Sequence, residues 1–114
     1  MFLNNIRHAL RGIKDILVWE KSFRVMMLAA IFVIAGMFYF PTTHIEKAVL
    51  FLAIFAVLGL ELINSVIERI MDFIHEEHHT DIRDIKDVMA SIVFVASIGA
   101  AIVGIIIFSP YVLK

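Results

Sequence analysis

The chain has no cysteine among its 114 residues, which excludes disulfides, thiolate catalysis and Cys-based zinc sites together. Neither a G-x-x-x-x-G-K-[ST] loop nor a G-x-G-x-x-G turn occurs, so the phosphate-binding signatures of the soluble nucleotide folds are missing. The formal net charge of −1 provides no basic field for nucleic acid, and no nucleic-acid partner is expected. Proline occurs only at Pro41 and Pro110, where apolar runs end, and there are no repeats or low-complexity tracts. Charge is also sparse at 18% of residues, and it is unevenly spread, since long stretches contain none.

What fills those stretches is apolar. The hydrophobic fraction is 61% and the mean hydropathy +0.94, against roughly 45–50% apolar residues in an ordinary soluble domain. A soluble fold this small has too little interior to hide that surface, so the excess requires lipid. The expected fold is all-α and integral to the membrane, a single domain over residues 1–114.

Residues 1–21 are expected to form a surface helix. Arg7, Arg11, Lys14 and Lys21 supply a cationic face, and Ile6, Leu10, Ile13 and Leu17 recur at helical spacing. Val25 to Phe40 is uncharged and closes at Pro41. Its 16 residues reach only ~24 Å, short of the ~30 Å hydrocarbon core. The first span is therefore placed at 22–40, with Arg24 snorkelling to the surface. A signal peptide is the competing reading, but Met37–Phe40 offers no small-residue cleavage site.

The second span, 47–70, has to run on from the uncharged Ala48–Leu60 through Glu61, which leaves a carboxylate inside the apolar segment and Glu68 at its edge. Val88–Phe108 forms the third span, on which the small residues Ala96, Ala100 and Gly104 make a face that another helix can approach closely. Eight Lys and Arg fall in residues 1–24 and 69–87, while Lys47 and Lys114 lie on the other side. That imbalance predicts a cytoplasmic N-terminus and a C-terminus outside.

Glu61, Asn64, Glu68 and Asp72 are spaced 3, 4 and 4 apart and share one helical stripe, flanked by Ser65. A charge within a lipid-facing span costs several kcal/mol, so these groups turn toward partners, ions or water. Taken singly, Glu61 also has the reading of a structural carboxylate bonded between helices or held protonated, against which four polar groups on one stripe speak. The segment from His75 to Asp87 reads as a solvated loop. Its His75, His78 and His79 have a spacing that can hold zinc but lack a fixed fourth ligand. Lys86-Asp87 enters the third span as a candidate phosphate contact and helix cap, or as simple flanking charges. Clustered carboxylates with one Lys suit a metal–nucleotide site, because phosphoryl transfer asks mainly for positioning, a divalent cation and a base. Sequence physics reaches a metal or proton site at a membrane interface and stops short of a substrate.

At these residues the chain resembles the prokaryotic diacylglycerol kinases and their relatives the undecaprenol kinases. The shared signature is Glu61-Leu-Ile-Asn64-Ser65-Val-Ile-Glu68, then Asp72, His79 and Lys86-Asp87, with Gly12 and Glu20-x-x-Phe23-Arg24 upstream. The resemblance implies a homotrimeric lipid kinase with sites formed between subunits, which transfers the γ-phosphate of Mg-ATP to the hydroxyl of a membrane lipid. It implies Glu61 as general base with Asn64 nearby and Glu20 and Glu68 as ligands of Mg2+. Lys86 would contact the phosphates, and Asp72, Glu77, His79 and Asp87 would line or support the nucleotide site. Val88-Met89 departs from the small residues that usually follow Lys-Asp, and His8 stands where some members carry an aromatic residue. Diacylglycerol is the expected lipid, giving phosphatidic acid, with undecaprenol as the alternative. The rival from another class is a non-enzymatic transporter subunit that uses Glu61 for protons. It would not need Glu20, Asp72 or Lys86-Asp87 in register with it.

Overall fold

The structure, a computed structural model, describes residues 1–74 and 79–113. Those residues form four helices, α1 (Phe2–Trp19), α2 (Lys21–Tyr39), α3 (His44–Ile74) and α4 (His79–Val112). The second, third and fourth are each long and apolar enough to cross a membrane. Few of their residues are buried within the chain, and large apolar side chains such as Phe32, Phe55, Phe94 and Ile105 lie exposed. In water that surface would be untenable; in hydrocarbon it is solvated.

Each junction has a local cause. Between α1 and α2, Glu20 is extended (φ −109°, ψ 108°) and breaks the helix for one residue. Arg24 reaches back from α2 and donates from Nη1 to the carbonyls of Leu17 (2.9 Å) and Val18 (2.8 Å). One guanidinium thus satisfies carbonyls that the end of α1 leaves open. Helix α2 stops because Phe40 precedes Pro41 and is pushed to extended backbone (φ −88°, ψ 154°). The Thr42 hydroxyl then donates to the Met37 carbonyl at 2.7 Å. Thr43 and Glu46 start α3 reciprocally: Glu46 N donates to Thr43 Oγ1 at 3.1 Å and Thr43 N to Glu46 Oε1 at 2.9 Å. That is a capping box.

Helices α2, α3 and α4 therefore run up, down and up. At the near end α1 joins α2, α3 finishes and α4 begins; at the far end α2 finishes, α3 begins and α4 finishes. The far end is packed by Met37, Leu50 and Ile107, with Val33, Ile34, Phe51, Val103 and Phe108 against them. It is closed by the Tyr111 hydroxyl donating to Glu46 and by Phe40 stacked on Tyr111, ring centroids 6.0 Å apart.

Two sequence readings change here. Helix α4 begins at His79, so Asp81, Arg83, Asp84, Lys86 and Asp87 lie on a helix and not in a loop. Asp81 stands in its first turn, where a carboxylate favours the helix dipole. At the other end α4 continues through Pro110 to Val112. Proline this close to a helix end removes one hydrogen bond without breaking the element. Helix α3, at 31 residues, is about 46 Å long. It overshoots a ~30 Å hydrocarbon core and projects beyond it.

Candidate active site at the near end

The α3 stripe is turned inward. Glu61 is 3% exposed, Asn64 9% and Ser65 1%, in a helix whose other faces carry exposed Leu52, Phe55, Ile63 and Val66. Ser65 Oγ donates to the Glu61 carbonyl at 3.1 Å, so its hydroxyl is satisfied within the helix. Asn64 Nδ2 donates to Glu68 Oε1 at 3.1 Å, one turn on. That bond fixes the amide, and it leaves Asn64 Oδ1 buried without a partner.

Glu20 reaches the same place from the elbow. Its Oε1 stands 4.0 Å from Arg69 Nε on α3. Glu20 and Glu68 both lie close enough to Glu61 to act on its charge. The single extended residue between α1 and α2 thus carries the carboxylate that joins the α3 stripe, and Arg24 holds the elbow that aims it. Sequence reasoning missed both Arg24 as the elbow's clamp and Arg69 as the neighbour of Glu20. Neither contact has a sequence signature, because each depends on how α1 and α3 meet α2.

From α4, Lys86 Nζ donates to Asp72 Oδ1 at 2.8 Å. The ammonium is held above its ordinary pKa, chiefly by this bond, with the charges of Asp72 and Glu68 adding to it. Lys86 precedes the third span and stays a fixed positive charge at neutral pH. Asp87 is exposed beside it, and its carbonyl accepts the Ser91 hydroxyl at 2.9 Å. His79 opens α4, and of this residue the backbone alone is described. Glu77, with His75 and His78, lies outside the described residues. The structure therefore gathers Glu20, Glu61, Asn64, Glu68, Asp72 and Lys86 at one end of the molecule.

Among the described residues no three His, Asp or Glu converge closely enough to hold a metal by themselves. The donor set still fits Mg2+, which keeps several waters and usually takes one or two carboxylates together with substrate phosphates. Glu20 and Glu68 offer hard oxygen ligands of that kind, and the unpaired Asn64 Oδ1 marks a buried place with an acceptor to spare.

The family model for the prokaryotic diacylglycerol kinases matches residues 7–108. The chain belongs to that family. An undecaprenol kinase of Bacillus subtilis is 34% identical over 96% of this chain and 89% of its own length. A diacylglycerol kinase of Haemophilus influenzae is 32% identical over 91% of this chain and 86% of its own. A diacylglycerol kinase of Helicobacter pylori is 34% identical over 70% of this chain and 62% of its own. The protein is thus a membrane lipid kinase, a family whose phosphate donor is ATP, and the transporter reading of Glu61 is set aside.

Proposed function

We propose that the protein transfers the γ-phosphate of Mg-ATP to the hydroxyl of diacylglycerol, giving phosphatidic acid. The observation that carries this reading is Glu61, 3% exposed in an apolar helix and accompanied by two further carboxylates. A lipid hydroxyl lies at membrane depth, and a base that takes its proton has to lie there too.

Glu61 takes the proton from the lipid hydroxyl as its oxygen attacks the γ-phosphorus. The bond from that phosphorus to the β,γ-bridging oxygen breaks and ADP leaves. Asn64 positions the region around the base through its bond to Glu68. Lys86 contacts the phosphates as a point charge, and Asp72 holds its ammonium ready. Asp87 serves the nucleotide side, a role that the family resemblance implies for Glu77 and His79 as well. Glu20 and Glu68 would hold Mg2+ on the phosphates, where the ion supplies charge neutralisation for the transferring group.

The near end faces the cytoplasm of a bacterial inner membrane, with the C-terminus outside; the eight-to-two division of basic residues supports this. Helix α1 lies as a surface helix, in keeping with its exposed Leu10 and Ile13 among Arg7, Arg11 and Lys14. The active form is a homotrimer. The family resemblance supports it, and sites between subunits would complete the nucleotide side.

A second reading, undecaprenol as acceptor, is favoured by the Bacillus relative, which matches this chain as well as the diacylglycerol kinases do. The test is the purified protein in mixed micelles with ATP, magnesium and each lipid in turn. Phosphatidic acid formed at least tenfold faster than undecaprenyl phosphate supports the first reading. The reverse ratio replaces it with the second.

A further inference from the structure

Two carboxylates of the near-end site each have a cation beside them. Asp72 holds Lys86 at 2.8 Å, a charge-assisted hydrogen bond. Glu20 faces Arg69 at 4.0 Å, Oε1 to Nε, which is beyond hydrogen-bond reach. Arg69 follows Glu68 directly and stands one turn on from the buried Ser65, so its side chain leaves α3 beside the inward stripe. That side chain is about half exposed, and the side chain of Glu20 about a quarter. A pair so loose and so wet contributes little to stability. The guanidinium is near the carboxylate without being bonded to it.

Charge decides what that position does. Glu20 and Glu68 both act on the charge of Glu61, so the site collects negative charge that one guanidinium offsets in part. A divalent cation placed on Glu20 meets that guanidinium close by. Arginine cannot give up its proton to relieve the repulsion. The cation must therefore compete with Arg69 for Glu20, and it carries a penalty when it comes alone. A polyphosphate that arrives with the cation reverses the sign. Its excess negative charge gives the guanidinium an anion to turn to, and a planar fork of donors suits two phosphate oxygens at once. Lys86, a point charge already bonded to Asp72, has no such fork.

We infer that Arg69 couples the metal to the nucleotide: its guanidinium holds Glu20 against the free cation and passes to the phosphates when cation and polyphosphate bind together. The inference rests on the proposed Mg-ATP reaction, to which it adds a phosphate contact from α3 beside that of Lys86 from α4. The ligand class is a divalent cation carried by a nucleoside polyphosphate. A brace for the elbow is the plainer role for the same pair, and the two roles differ in sign. Removing a brace weakens metal and nucleotide together. Removing the coupling residue strengthens the first and weakens the second.

The test uses the full chain in mixed micelles and two probes. One is Mn2+ alone, followed by the electron paramagnetic resonance of the free ion. The other is the β,γ-methylene analogue of ATP at saturating Mn2+, followed by calorimetry. Arg69→Gln should bind Mn2+ alone about two- to fivefold more tightly than wild type, the worth of an exposed ion pair. It should bind the analogue about tenfold more weakly, the worth of a hydrogen bond to a charged group. Arg69→Lys keeps the charge and loses the fork. Its Mn2+ affinity should stay at the wild-type value, and its affinity for the analogue should fall only part of the way. Unchanged Mn2+ affinity in Arg69→Gln, or no Mn2+ bound by either protein, would overturn the competition for Glu20. Unchanged affinity for the analogue would overturn the phosphate contact, and both affinities weakened together would make Arg69 a brace. Wild type that neither binds the analogue nor phosphorylates any lipid alcohol would instead refute the proposed reaction, and it is read before any variant.

Discussion

Lys86 Nζ donates to Asp72 Oδ1 at 2.8 Å, tying the start of α4 to the last turns of α3. Both side chains are substantially exposed. Ion pairs in such a setting contribute little to stability, so the pair matters through where it places the ammonium.

Lys86→Met should therefore raise the KM for ATP at least ~tenfold with kcat little changed, since a phosphate contact is lost in ground and transition states alike. Thermal stability in detergent should hardly move. Asp72→Asn keeps the ammonium but frees it, and its effect on ATP should be smaller. Steady-state kinetics beside a melting curve check this. A Lys86→Met protein with normal ATP kinetics would reduce Lys86 to a flanking charge.

Glu20, at the elbow between α1 and α2, and Glu68, on α3, are expected to bind one magnesium-bearing nucleotide. Glu20→Gln and Glu68→Gln should each abolish activity, with size-exclusion behaviour unchanged. The dependence on magnesium checks it: a variant with near-normal rates at low magnesium is not missing a ligand.

The two readings that shaped the fold, three apolar spans and a buried Glu61 stripe, were legible because both are periodic and local. Hydrocarbon solvation demands long uncharged runs, and spacings of 3 and 4 put Glu61, Asn64 and Glu68 on one face however the helices pack. The start of α4 was not legible. Asp81, Arg83 and Asp84 look like a solvated loop by composition, and the helical backbone there continues the long α4 that Lys86 pins to Asp72. Glu20's role at the elbow was legible only through family resemblance, since nothing local marks it. The pairing of Glu46 with Tyr111, 65 residues apart, exists only once α3 and α4 are in register.

The far-end clasp predicts a pH dependence. Glu46 lies outside the second span, and its carboxyl is held below its ordinary value of 4.5, first by the Tyr111 hydroxyl and then by the Thr43 backbone. A depressed folded pKa gives stability that is present above the unfolded value and lost as pH falls through the folded one. Tyr111, also beyond its span, is raised above 10.0 by the same bond, so its share is lost as pH rises past that range. Melting temperature should therefore fall below about pH 4.5 partly through Glu46, and Glu46→Gln should flatten that limb. An equally steep acid limb in Glu46→Gln would assign the loss to other carboxylates.

Topology is tested by reporters. One fused after Lys114 should lie outside the cytoplasm and one inserted near Thr80 inside it, as the basic-residue asymmetry requires. Both on the same side would contradict three spans.

The central claim is that buried Glu61 is the base. Glu61→Gln keeps the size and hydrogen bonding of the side chain but cannot accept the proton. The decisive measurement is kcat of this variant for lipid phosphorylation, taken with its ATP binding and oligomeric mass. Loss of a general base costs roughly 10²–10⁴ in rate. The expected result is a kcat down by at least ~10² with ATP binding and assembly nearly unchanged. A variant that phosphorylates lipid within tenfold of wild type would make Glu61 a structural carboxylate and move the search for the base to Asp87.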